Sequence, residues 1–347
     1  MRASLPAIAQ RFSCDFHPDY YELIQRNEQW VVQDLCPGDT EWAQATLDML
    51  GSTLVCTGYP RADRGRLLDI CNLSTWWFMV DDQFTRIVTD PDAPENLRKQ
   101  RGAEYVEDLW RLVVGEPTRT HRWPPEVIRE LVDRIRGRTT PEFFQRMVEA
   151  MSTWQVRGLV AELDAPDATD EDPLQAYLRL RVDSAGPSSF MVFAEYVLEL
   201  DLPSEIRSNG LIKEYERLIA EHWILPNDLL SFRKECFRGD HTNLVCLLRR
   251  NQGLSLNDAL AAVATLINDR QERVLKQYDE IMATELGKRE EVRMYLDALQ
   301  AIGAANQRWS YLTPRYHGPR FQWNGVLSGE LRLFPTHTQF PGVNAQL

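Results

Sequence analysis

Apolar residues in this chain recur at steps of three and four through stretch after stretch, and that spacing restricts the fold more than any other feature. Leu256, Leu260, Val263 and Ile267 follow the repeat of one helical face. The same periodicity predicts helices over 40–57, 64–87, 96–114, 126–136, 141–164, 173–185, 188–200, 207–236, 255–284 and 287–312. Clusters rich in proline and acidic residues separate them: Thr89 to Pro94, Arg122 to Pro125, Asp164 to Pro173 and Asp201 to Ser204. There are no alternating strand pairs joined by hairpin turns, no internal repeat and no glycine-rich phosphate loop. The pattern implies an all-α bundle. At 347 residues the chain is longer than a typical domain, yet a helical enzyme of this size forms one domain with a substantial core. The expected division is a domain over 1–316 and a partly ordered tail over 317–347, where glycine and proline are frequent and periodicity is weak.

Within the stretch 207–236 lies N-D-L-L-S-F-R-K-E. Its Asn227, Ser231 and Glu235 stand four residues apart, so on a helix they share an arc of roughly 80°. Amide oxygen, hydroxyl and carboxylate are hard donors suited to Mg²⁺, which keeps water or binds substrate phosphates when the protein supplies few ligands. Helical side chains lean toward the N-terminus, so the long arm of Glu235 can reach an ion that Asn227 and Ser231 also approach. Lys234 points within about 20° of Asn227 on the same wheel and suggests a shared anion. A second acidic element, Asp81-Asp82, directly follows the apolar run W-W-F-M-V. Burying unpaired charge is expensive, so two carboxylates there need partners. Trp77, Phe78 and Asp81 fall on a face about 100° wide.

An aspartate-rich element on one helix and N-D-x-x-S-x-x-x-E on another resemble the class I terpene synthases, in particular the compact bacterial type. The resemblance extends further. Arg181 stands 46 residues before Asn227, at the position of that family's diphosphate-sensing arginine. Ser184 takes the linker position and Ala185 the effector position, just before Gly186-Pro187. Arg315-Tyr316 matches the C-terminal Arg-Tyr pair, with Trp309 shortly before it, and H-P-D-Y-Y…W runs from His17 to Trp30. The resemblance therefore covers nearly the whole chain. One departure is clear: no acid stands at Thr85 or Arg86, where the aspartate-rich motif normally carries one. Asp81 is the direct ligand that the resemblance implies, and Asp82 is left to carry the ancillary network.

The resemblance implies a single-domain antiparallel helical bundle and Mg²⁺-dependent ionisation and cyclisation of a linear prenyl diphosphate. Pyrophosphate is released and a terpene hydrocarbon or alcohol formed. Three Mg²⁺ ions are expected, held by Asp81, Asn227, Ser231 and Glu235. Arg181, Lys234, Arg315 and Tyr316 are expected on the diphosphate, and Trp77, Phe78, Ser184, Ala185 and Trp309 around the hydrocarbon chain. Magnesium and basic donors stabilise the charge growing on the leaving group, the arginines in fork geometry. An apolar, closed cavity keeps the allylic cation from water, and each aromatic face attracts it by roughly 0.5–2 kcal/mol. Farnesyl diphosphate is the first expectation and geranylgeranyl diphosphate the second. A chain-elongating prenyltransferase and a non-catalytic relative are the competing readings. The first normally carries two aspartate-rich motifs, and the second draws support from the missing acid. No Asp-x-Asp-Asp motif supports protonation-initiated cyclisation.

A net charge of −12 argues against nucleic acid or an acidic membrane surface as the main partner. No apolar run reaches the roughly 18 residues of a membrane helix. Together with an N-terminus lacking a positive-then-apolar signal, this leads to the expectation of a cytoplasmic protein, and the resemblance implies a monomer or homodimer. The six cysteines, Cys14, Cys36, Cys56, Cys71, Cys236 and Cys246, have no Cys-x-x-Cys spacing and are expected as thiols. Without a His-x-x-x-His pair, zinc is not expected.

Overall fold

The computed structural model of the protein describes residues 1–119, 121–158, 172–238 and 243–340. A short strand, β1 (Arg2–Leu5), precedes helices α1 (Tyr20–Trp30), α2 (Thr40–Leu47), α3 (Gly51–Gly58), α4 (Arg64–Val88), α5 (Glu95–Val114), α6 (Pro125–Arg136) and α7 (Pro141–Ser152). Then follow α8 (Pro173–Ser184), α9 (Pro187–Val197), α10 (Ser204–Arg207), α11 (Gly210–Arg238), α12 (Leu244–Gln252), α13 (Leu256–Met282), α14 (Glu290–Leu312) and α15 (Pro314–His317). The chain closes with β2 (Gly329–Leu333) and β3 (Thr338–Gln339). Helices dominate, as the periodicity predicts. The predicted stretch 40–57 divides at Asp48–Leu50, where Leu50 takes a left-handed φ of 58°. Residues 159–164 of the stretch 141–164 lie outside the described residues. The helices α1 and α12 were not among the predicted stretches.

Local chemistry sets the helix ends. Asp63, Thr140, Asp172, Asn243 and Ser255 each cap the helix that follows by accepting a backbone N–H. Proline opens α6, α7, α8 and α9, where its missing N–H costs nothing. Gly186, at φ 72°, takes the left-handed turn that lets α8 stop at Ser184 and α9 start at Pro187.

The long helix α4 occupies the centre. Ile70, Leu73 and Val80 are completely buried, and burying each contributes about 1.5–3 kcal/mol. Around it pack α1, α3, α5, α6 and α9, while α11, α13 and α12 with β1 and β2 enclose a second cluster including Leu229, Leu260, Val263 and Ile267. Gly51 brings α3 close to α4, since a Cβ there would lie 2.9 Å from the ring of Phe78. That close approach fixes where Phe78 stands.

The tail differs from the expectation of loop. β2 pairs antiparallel with β1 in the register Arg2↔Arg332 to Leu5↔Gly329, and with β3 at Arg332↔Gln339. Nothing local announces the β1–β2 pair, whose partners are more than 320 residues apart, whereas β2 and β3 form a local hairpin. Residues 341–347 lie outside the described residues. Cys236 and Cys246 are joined by a disulfide, whereas Cys14, Cys36, Cys56 and Cys71 are free. The expectation of six thiols is thus corrected for one pair, which the return of the chain from α11 into α12 brings together.

Candidate active site

The last turns of α4 carry Asp81 and Asp82 into a dense set of charges. Asp82 is buried and accepts from Lys234 Nζ at 2.7 Å and from Arg315 at 3.2 Å (Nε) and 2.9 Å. Asp81 accepts from the same Arg315 guanidinium. A buried carboxylate is tolerable only when paired and hydrogen-bonded, and here the cations come from α11 and α15, far along the chain. Burial works against the Arg315 charge, but the carboxylates of Asp82 and Asp81 outweigh it and hold the guanidinium protonated beyond its usual range. Its guanidinium also lies 5.3 Å from the centre of the Phe78 ring.

The second motif lies in the C-terminal half of α11, just past a proline. Pro226 cannot donate to the carbonyl of residue 222, and one residue on, the Trp223 carbonyl accepts from Asn306 Nδ2 of α14 at 2.8 Å. Asn227 Nδ2 donates to the Tyr316 hydroxyl at 2.6 Å. That bond leaves the amide oxygen of Asn227 as its atom suited to a cation. Between the motif positions, Asp228 is fully buried, accepting from Tyr177 Oη, from the Leu244 N–H at 3.0 Å and from Arg181 at 3.4 Å. Burial raises its carboxyl above the ordinary range although Arg181 opposes the shift. Arg181 is itself buried and donates to Ser184 Oγ at 3.0 Å.

One cavity gathers most of these groups. Asp81, Arg181, Asn227, Lys234, Glu235, Arg315 and Tyr316 line its polar side, with Ser184 and Ala185 at the α8–α9 break. Aromatic rings make up much of the remaining lining. Phe78 and Trp309 stack with centroids 4.8 Å apart, and Trp77 meets Trp154 at 4.7 Å and Phe193 at 5.3 Å. Phe190 meets Trp223 at 4.6 Å. Trp309 is anchored by its own Nε1, which donates to the Met49 carbonyl at 2.9 Å.

Two expected site residues stand apart from that lining. Asp82 lines a neighbouring cavity that Lys234 and Arg315 also border. Ser231 is completely buried, its Oγ 3.5 Å from the amide nitrogen of Asn243. Conversely, Trp154, Phe190, Trp223 and Asn306 line the cavity without having been singled out. Trp223 was within reach of sequence reasoning, since it sits four residues before Asn227 on the same helical face. Asn306, three residues before Trp309 on α14, was too, whereas Trp154 and Phe190 carry no local signal. For a divalent cation the donor set fits: hard oxygens from Asp81, Asn227 and Glu235 border one cavity, and Arg181, Lys234 and Arg315 border the same cavity and can share an anion.

Comparison with known proteins gives the same direction. The model of terpene synthase family 2, C-terminal metal binding, matches residues 72–273. The silphinene synthase of Penicillium patulum is 26% identical over 313 residues, covering 87% of this chain and 81% of the relative. The pristinol synthase of Streptomyces pristinaespiralis is 26% identical over 352 residues, covering 95% and 92%. In fold, the chain is similar to the crystal structure of germacradien-4-ol synthase from Streptomyces citricolor. There the TM-score is 0.68 at 22% identity, covering 88% of this chain and 98% of that one.

Proposed function

The chain belongs to terpene synthase family 2, and from that premise we propose that this class I terpene cyclase ionises farnesyl diphosphate with Mg²⁺ at the cavity described. The observation that carries the reading is the meeting of Asp81, Asn227 and Glu235 with Arg181, Lys234, Arg315 and Tyr316 in one cavity that is otherwise lined largely by aromatic rings. In this reading residues 1–316 are the catalytic domain and 317–347 an appended tail. No helix among the described residues is long and apolar enough to cross a membrane. A cytoplasmic monomer or homodimer belongs to the same reading.

Asp81 would hold metal from the α4 side and Asn227 and Glu235 from the α11 side, with Ser231, buried on the same helix, as the remaining expected ligand. When bound, Mg²⁺, in three ions, neutralises charge on the diphosphate and so makes it a leaving group. Arg181, Arg315, Lys234 and Tyr316 donate hydrogen bonds to the diphosphate oxygens, strongest where negative charge builds during ionisation. Asp82 holds Lys234 and Arg315 in place. The rings of Trp77, Phe78 and Trp309, with Trp154, Phe190 and Trp223, exclude water and face the cation. Six large rings crowd the apolar side, which supports the shorter farnesyl chain over geranylgeranyl.

Incubation with Mg²⁺ and a series of prenyl diphosphates, followed by gas chromatography, tests the proposal. Cyclic hydrocarbon or alcohol from farnesyl diphosphate, with less from geranylgeranyl diphosphate, is the expected result. A preference for geranylgeranyl diphosphate overturns the substrate assignment, and longer diphosphates as products favour the prenyltransferase.

The aromatic wall gives a separate prediction. Phe78→Leu keeps the pocket apolar but removes a π face worth about 1 kcal/mol to a passing cation. Since about 1.4 kcal/mol is tenfold in rate, product ratios should shift toward acyclic or early-quenched products at modest cost in turnover. Trp309→Leu should act likewise, with an added loss of stability, because its Nε1 anchors to Met49. Product profiles identical to wild type in both variants would make these rings ordinary core.

A further inference from the structure

Asn243 belongs to no motif singled out in the sequence, yet its side chain touches the second motif at three points. Its Nδ2 donates to the Asp228 carbonyl oxygen at 2.8 Å and to Glu235 Oε2 at 2.8 Å, and lies 3.5 Å from Ser231 Oγ. Its Oδ1 accepts from the Val245 N–H at 2.9 Å, capping α12. The residue is completely buried. Glu235 borders the cavity and Asn243 does not, so the amide grips the carboxylate from behind.

We propose that Asn243 is a positioning residue that sets Glu235 and Ser231 for the divalent metal. The inference rests on the reading that these two side chains hold the ion. A glutamate has three rotatable side-chain bonds, and a carboxylate that must present one geometry to a metal is ordinarily steered by a hydrogen bond from an outer partner. Here the partner is immobilised twice: by its own cap on α12, and through Leu244, whose N–H donates to Asp228 at 3.0 Å. The start of α12 therefore acts as a bracket across the second motif, gripping Asp228, Ser231 and Glu235 over two turns of α11.

The two duties of Asn243 can be separated. Serine caps a helix about as well as asparagine, but it is too short to reach Glu235 while capping. In Asn243→Ser, the Mg²⁺ concentration that half-saturates binding of inorganic pyrophosphate, read by titration calorimetry without turnover, should rise about 10- to 100-fold. Saturating Mg²⁺ should restore the wild-type pyrophosphate affinity, and the unfolding temperature should stay near that of wild type. A Mg²⁺ half-saturation equal to wild type overturns the proposal. So does a pyrophosphate affinity that saturating Mg²⁺ leaves weakened, since the defect would then lie outside metal positioning. Asn243→Gly, also tolerated at a cap, carries the same expectation and replaces the serine variant if that fails to fold. Glu235→Gln run in parallel separates the two levels. If it binds Mg²⁺ and pyrophosphate like wild type, the metal reading itself falls and this inference with it. If only the Glu235 variant is impaired, the failure belongs to Asn243 alone.

Discussion

Replacing Glu235 by Gln should lower kcat/KM by at least about a thousandfold while leaving the helical circular dichroism unchanged. The substitution keeps shape and packing but removes the charge of the carboxylate in the set Asn227, Ser231 and Glu235. Removing a single preorganised stabilising group from an active site costs roughly a hundred- to a thousandfold. A weakened metal also lowers the stabilisation given by every diphosphate donor that acts beside it. A thousandfold loss is about 4 kcal/mol of transition-state stabilisation, within the several kcal/mol a Lewis-acid metal supplies. The measurement is turnover of farnesyl diphosphate across a Mg²⁺ series. Activity within tenfold of wild type at every concentration removes Glu235 from the metal assignment.

Arg181→Lys should cost about a hundredfold or more in kcat/KM, with the loss persisting at high substrate concentration. Arg181 lies against Ser184 and Asp228 in the structure, beside the Gly186 turn that separates α8 from α9. We expect it to meet the diphosphate only in the closed, liganded state. A lysine retains the charge but offers a point donor, where the guanidinium offers a planar fork able to bind two oxygens at once. The charge-preserving change matters for interpretation. Arg181→Ala would leave the buried Asp228 without its cation, and breaking a buried pair costs about 3–5 kcal/mol of stability. Wild-type kinetics in Arg181→Lys, together with wild-type kinetics in a folded Arg181→Ala, would end its role as a sensor.

These two residues also mark how far the sequence is legible. Glu235 could be read because its companions lie on the same helix, where spacing converts directly into angle. Asp81 is visible for a similar reason, as an acid continuing an apolar helical face. Asn243 is the opposite case: eight residues beyond Glu235, it meets that side chain only because the chain turns back from α11 into α12. The same return joins Cys236 to Cys246, a pairing that a spacing of ten residues does not reveal. Ser231 sits on the predicted face yet is covered by Asn243, since helical angle says which way a side chain points and not what packs over it. Trp154 and Phe190 look like any core aromatic until the helices carrying them are brought around Trp77. Asp82 could be seen to need partners, but their identity as Lys234 and Arg315 is a tertiary fact.

The terminal sheet has a consequence for the order in which the protein can be completed. Met1 donates through its ammonium group to the Leu333 carbonyl, across 332 residues of chain. A ribosome adds roughly 5–20 residues per second, so β1 waits roughly 15–65 s for β2 to be made. Throughout that interval Ala3 and Leu5, buried in the finished protein, have no strand beside them, and an unpaired strand is a template for other chains. β1 must be shielded or simply tolerated until β2 emerges. Closing the sheet therefore waits until the chain has been made through Leu333.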